Sequence, residues 1–111
     1  MQKSTAVSAL AALIALMALL VMHGNANAAD AQVKIANFTF EPPVLTVKVG
    51  TTVTWVNDDD IPHLVSEKDG KFRSSALDTG DKFSQTFSAA GTVEYFCAVH
   101  PHMTGKIVVE P

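Results

Sequence analysis

The chain has 111 residues and a mass of 11.8 kDa, which is room for one domain and excludes an enzyme built from separate cofactor and substrate domains. Its hydrophobic fraction of 48% and mean hydropathy of +0.22 are high for a small soluble protein, and the excess is concentrated in the first 28 residues. Of the eight basic residues only Lys3 lies there, so residues 29–111 set seven basic side chains against eleven acidic ones, with no basic stripe to attract nucleic acid.

Lys3 belongs to a short polar start. An almost unbroken apolar run follows from Ala6 to Met22, then the small polar segment His23 to Asp30. This is the three-part plan of a secretory signal peptide, and Ala26-Asn27-Ala28 fits its cleavage site. The expectation is a signal over residues 1–28 and a working domain over 29–111, outside the cytoplasm and in the periplasm. An uncleaved membrane anchor is the alternative, because the run is close to the roughly 18 residues a spanning helix needs. No other run is apolar enough to span, so the domain is expected to carry no membrane span once the signal is removed.

The rest reads as strands between turn signals, with no helical period. Val33, Ile35, Phe38 and Phe40 read as one strand with an offset, broken by Glu41-Pro42-Pro43. Val44 to Val49 is β-branched and ends at Gly50. Thr52 to Asn57 carries Trp55 and runs into Asp58-Asp59-Asp60, which reads as a solvated loop. Ile61 to Ser66 reads as a short strand, closed by Lys68-Asp69-Gly70-Lys71. The segment from Phe72 to Asp81 is irregular. Lys82 to Phe87 alternates, Gly91 turns, and Val93 to Cys97 is a strand. Ala98 to Gly105 reads as a loop before a last strand, Lys106 to Val109. Seven or eight strands at this spacing predict an all-β fold, an antiparallel Greek-key sandwich.

Cys97 is the only cysteine, so no internal disulfide can staple this small exported domain. A lone cysteine in an oxidising compartment calls for an explanation: intermolecular pairing, a reactive thiol or a metal. Its neighbours favour the metal. Cys97, His100 and Met103 are spaced three and three, a spacing that drifts around a helix and alternates faces on a strand. A compact loop can point all three at one centre, and Pro101 biases His100 away from helical backbone. Thiolate, imidazole and thioether form a soft set that excludes calcium and magnesium. Methionine is uncommon at structural zinc, whereas two histidines and a cysteine with a weak axial methionine suit copper. The second histidine comes from elsewhere. His63, after Pro62 and just past the acidic loop, is the best candidate; His102 is the other, crowded between His100 and Met103.

These residues resemble the plastocyanin/azurin family of small blue-copper proteins, the cupredoxins, most closely its amicyanin type. The segments that carry the resemblance are Val44 to Gly50, Val53 to Asn57, Ile61-Pro62-His63, Gly91 to Cys97 and the Cys97/His100/Met103 loop. The resemblance implies an eight-stranded Greek-key sandwich with a single type 1 copper. It implies His63, Cys97 and His100 as strong ligands, Met103 as the weak axial one, and Asn57 as a hydrogen-bonding tie between the two ligand-bearing loops. Two positions depart from the family pattern. Leu64 stands where the family often has Asn after the first histidine, and His102 where amicyanin-type loops often have Phe before the Met.

The function that follows is a periplasmic one-electron carrier, with no catalytic residues. It is expected to be a monomer exchanging electrons with redox partner proteins, one donor and one acceptor, with His100 as the port. A module for copper delivery or buffering is the alternative.

Overall fold

The computed structural model describes residues 29–111. Among these the chain forms eight strands and two facing four-stranded sheets. The strands are β1 (Asp30–Ala36), β2 (Thr39–Glu41), β3 (Val44–Lys48), β4 (Thr51–Asn57), β5 (Ser66–Glu67), β6 (Lys82–Phe87), β7 (Gly91–Cys97) and β8 (His100–Glu110). One sheet runs β2-β1-β4-β6 and the other β3-β8-β7-β5. The expected all-β Greek-key sandwich is the fold. The proposed signal over residues 1–28 lies outside the described residues.

Period-two alternation builds the core. In β4 it buries Thr51, Val53, Trp55 and Asn57, while the opposite face carries hydroxyl pairs, Thr52 with Thr86 at 2.8 Å and Thr54 with Ser84 at 2.7 Å. In β8 it turns Met103, Gly105, Ile107 and Val109 inward. Trp55 is the centre: Tyr95 meets it edge-on at 5.3 Å, with Phe83 at 5.8 Å, Phe72 at 6.3 Å and Phe87 at 6.4 Å. Gly105 faces Tyr95 across the β7–β8 ladder, and a side chain there would overlap the phenol ring and its hydroxyl.

Four local expectations need correcting. The sheets are not wholly antiparallel: β1 pairs with β4, and β3 with β8, in parallel. The chain switches sheets after β2 and again after β3, so β4 returns beside β1 in the same direction. The offset strand over residues 33–40 is two strands. Asn37 and Phe38, at φ 51° and 58°, turn β1 back on β2, with Ala36 opposite Thr39. Two positive φ values in a two-residue loop define a type I′ hairpin turn. The expected strand over residues 61–66 shrinks to β5, because His63 is tied instead to Leu77 by an isolated bridge. Finally, the expected loop over residues 98–105 is mostly strand. Only a tight turn separates Cys97 from β8, and the cross-strand partner jumps from Thr104 (of Phe96) to His100 (of Cys97). That jump leaves Pro101, His102 and Met103 bulged out of the ladder, and a bulge is a place where a strand accepts proline.

Candidate metal centre

The site lies at one end of the sandwich, where β1, β4 and β7 finish and β8 begins. Alternation along β7 brings Tyr95 and then Cys97 to the interior. The turn after Cys97 sets His100 directly across from it. His63 arrives from the β4–β5 connection, held by two backbone bonds to Leu77, N–H to carbonyl at 3.1 Å and the reverse at 2.8 Å.

Three of the four expected residues converge. The Nδ1 atoms of His63 and His100 each lie 3.7 Å from Cys97 Sγ, and the three donor atoms are all within 4.8 Å of one another. His63 and Cys97 are fully buried, and His100 is half-buried. Two imidazole nitrogens set at the same distance around one buried sulfur have the arrangement of donors around a shared cation. The distances agree: bonds of about 2.3 Å to sulfur and about 2.0 Å to nitrogen, at trigonal or tetrahedral angles, separate S from N by about 3.5–3.8 Å. Met103, the fourth, is 3% exposed and belongs to the same buried cluster as Cys97. His102 is exposed and stands outside the converging group.

Asn57 closes β4 and is fully buried. Its Nδ2 donates to the carbonyls of Ile61 (2.9 Å) and Leu77 (2.8 Å), and its Oδ1 accepts from the Asp59 amide (2.9 Å). It therefore braces the loop ahead of His63 against the Leu77 segment. The expected tie to the Cys97 loop is made elsewhere, by the Leu64 amide, which donates to Cys97 Sγ at 3.4 Å. A backbone donor does not depend on the side chain, so Leu64 in place of asparagine leaves this bond intact.

Asp59 and Phe38 escaped the sequence reading. The Asp59 carboxylate takes the His63 Nε2–H at 2.8 Å and the backbone amides of Asn37 (2.7 Å) and Phe38 (2.9 Å). Burial raises its pKa, but the Phe38 and Asn37 amides, with His63, outweigh that and hold the carboxyl below its usual value. Because a carboxylate only accepts, His63 Nε2 carries the proton and Nδ1 keeps a free lone pair. The Phe38 ring, 47% exposed, stands edge-on to both histidines, 5.5 Å from His63 and 5.0 Å from His100. The offset between Ile35 and Phe38 was the one sequence signal of this turn; nothing in the acidic run distinguishes Asp59 from its neighbours.

Comparison with known proteins agrees with this geometry. Residues 27–110 match the family model described as copper binding proteins, plastocyanin/azurin family. The chain is 39% identical over 90 residues to amicyanin-alpha of Methylorubrum extorquens, an alignment covering 77% of this chain and 76% of that protein. It is 45% identical over 83 residues to amicyanin of Paracoccus denitrificans, covering 70% of this chain and 63% of the relative's own length. Among solved structures, a purple cupredoxin from Nitrosopumilus maritimus superposes with a TM-score of 0.68 at 38% identity, over 73% of this chain and all of that one.

Proposed function

The chain belongs to the plastocyanin/azurin family of copper-binding proteins, and from that premise we propose that it is a one-electron carrier of the periplasm rather than an enzyme. His63 Nδ1, Cys97 Sγ and His100 Nδ1 hold one type 1 copper, with Met103 as the weak fourth ligand. The observation that carries this is the pair of imidazole nitrogens facing one buried sulfur at the same 3.7 Å. Bound copper supplies a one-electron couple between its two common oxidation states.

The protein's own residues do the rest. Cys97 binds as thiolate, and the Leu64 amide meets the charge on its sulfur. Complete burial of Cys97 and His63 keeps water from adding to the metal. The β7–β8 ladder fixes Cys97 and His100, and the bridge to Leu77 with Asn57 and Asp59 fixes His63, so a change of one charge is met with little rearrangement and a low barrier. His100 is the one imidazole of the three donors that reaches the surface. Its surroundings, Phe38 and Val99 (53% exposed) with Pro101, form a small apolar rim of the kind that suits brief redox encounters. Such encounters need no lasting partner, in keeping with a monomer that meets a donor and an acceptor in turn.

Residues 1–28 direct export and are removed after Ala28. Among the described residues no helix is long and apolar enough to cross a membrane.

The test is to express the full chain, isolate the exported protein, add Cu(II), and record the visible and EPR spectra. An intense charge-transfer band in the visible and a small copper hyperfine splitting are expected; a colourless copper complex would sink the reading. A Cu(I) chelator separates a carrier from a delivery module, since a carrier exchanges electrons without surrendering its metal. The mass of the exported chain reports whether cleavage follows Ala28.

A further inference from the structure

Three N–H donors meet on the Asp59 carboxylate. Asn37 N–H donates to Oδ1, while Phe38 N–H and His63 Nε2–H both donate to Oδ2. The side chain is 14% exposed, and its own backbone is held as well, by Asn57 Oδ1 on its amide and by the Thr79 hydroxyl on its carbonyl. No neutral side chain of this size replaces it. An asparagine has a single acceptor oxygen, and its NH₂ would face at least one of the three donors.

Two of those donors belong to a turn that its own residues do not favour. A type I′ turn suits Asn followed by Gly, because both positions need positive φ. Asn37 complies. Phe38 does not: a bulky residue at φ 58° is an uncommon conformation. Such strain persists where the surroundings impose it, and it is a reason to look for function. Here the surroundings are the carboxylate, which gathers both turn amides. The result is the placement of the Phe38 ring against His63 and His100.

We propose that Asp59 is a positioning residue for both histidines of the copper site, fixing His63 directly through Nε2 and restraining His100 indirectly by pinning the Asn37–Phe38 turn beneath the Phe38 ring. This rests on the reading of the site as a copper centre. A ligand histidine whose second nitrogen is held by a carboxylate keeps its tautomer and ring orientation, and such partners are worth about 10–100-fold in metal affinity. The added element is that one carboxylate reaches the second histidine as well, through a strained turn and an aromatic edge.

The test begins with the metal-free, ¹⁵N-labelled protein, so it is independent of copper chemistry. In the wild type, the His63 ring shows a proton on Nε2 in slow exchange and a bare Nδ1, and Phe38 ring protons give cross-peaks to His100. Asp59→Asn speeds exchange of the Nε2 proton at least tenfold, abolishes the Phe38–His100 cross-peaks and weakens Cu(II) binding by about 10–100-fold. Phe38→Gly, which suits the turn, separates the two routes: His63 keeps its protected Nε2 proton while His100 loses the Phe38 ring edge and is left with the His63 ring alone. His63 protonated on Nδ1 in the wild type would overturn the proposal whether or not Asp59→Asn folds. So would an Asp59→Asn protein with unchanged Nε2 exchange and copper affinity within twofold. Wild-type protein that shows the expected ring signals but remains colourless with copper would instead refute the copper-site reading on which the proposal rests.

Discussion

His63 and His100 present the same nitrogen to the same sulfur at the same distance, yet they are held by different constructions. His63 sits in a connection with no regular ladder of its own. It is fully buried and braced by an isolated bridge to Leu77, by Asn57 behind it and by Asp59 on its outer nitrogen. His100 sits on the β7–β8 ladder, opposite Cys97, and is half-buried. One is fixed by side chains that satisfy backbone, the other by backbone that places a side chain. The side-chain brace suits a side chain that never meets solvent, because every polar group near it has to be paired inside the protein. The ladder suits a residue whose ring edge reaches the surface.

The brace around His63 is where a single change is expected to cost most. Asn57→Ala leaves the carbonyl of Ile61 and the amide of Asp59 without their partner, and leaves the Leu77 carbonyl with the His63 amide alone. Orphaned buried groups cost about 1–3 kcal/mol each before relaxation, so a loss on the order of 3 kcal/mol is expected in urea unfolding of the metal-free protein. Amide exchange at His63 and Leu77 quickens, while Cys97 and His100 keep the protection of their ladder. Equal loss of protection at both histidines would mean that the two constructions are one.

The ladder has its own weak point at Gly105, one residue past the bulge and Thr104. Gly105→Ala drives a methyl group into the Tyr95 ring and hydroxyl. Overpacking of this kind costs typically about 1–3 kcal/mol, and about 2 kcal/mol is expected. The effect falls on β7 and β8, so the copper-free contact between Cys97 and His100 loosens and His63 does not. A variant as stable as the wild type would show that Tyr95 has somewhere else to go.

The two constructions were unequally legible in the sequence. Cys97, His100 and Met103 lie within seven residues, and the chemistry of their donor atoms is written in their identities. Pro62-His63 could be paired with them because it follows the acidic loop, where a sandwich can bring it to the same end as Cys97, and because the family resemblance includes that Pro-His. The brace was not legible. Asp59 is one of three identical residues, and its role depends on two amides some twenty positions earlier that come near only once β1 and β4 pair in parallel. Parallel pairing has no hairpin signal; alternation alone says which face is buried and nothing about which strand lies alongside. The bulge at residues 101–103 was hidden for a related reason. A strand that slips its register by three residues breaks the period that would reveal it, and the segment reads as loop. Asn57 was legible as important, yet its partners were misplaced, because a resemblance carries over a residue more securely than the bonds it makes in a loop of different sequence.

The smallest expected effect concerns the core beneath the ladder. Tyr95 is the only tyrosine and is 2% exposed. Burial drives its phenol pKa up to about 12; the Trp55 indole N–H nearby offsets part of this, although the two groups do not meet in full hydrogen-bonding geometry. In the unfolded chain the phenol ionises near pH 10, as an unperturbed tyrosine does (about 10). Between those two values only the unfolded state releases the proton, so stability falls as pH rises through that window. Below it both states are protonated and the shift contributes nothing. Tyrosinate absorbance is therefore expected to be absent from the folded protein at pH 10 and to rise only near pH 12 or with unfolding. Ionisation at pH 10 in a protein that keeps its ladder protection would show that water reaches Tyr95, and with it the strand that carries Cys97. The end where His63, Cys97 and His100 converge would then owe its dryness to the His63 brace alone.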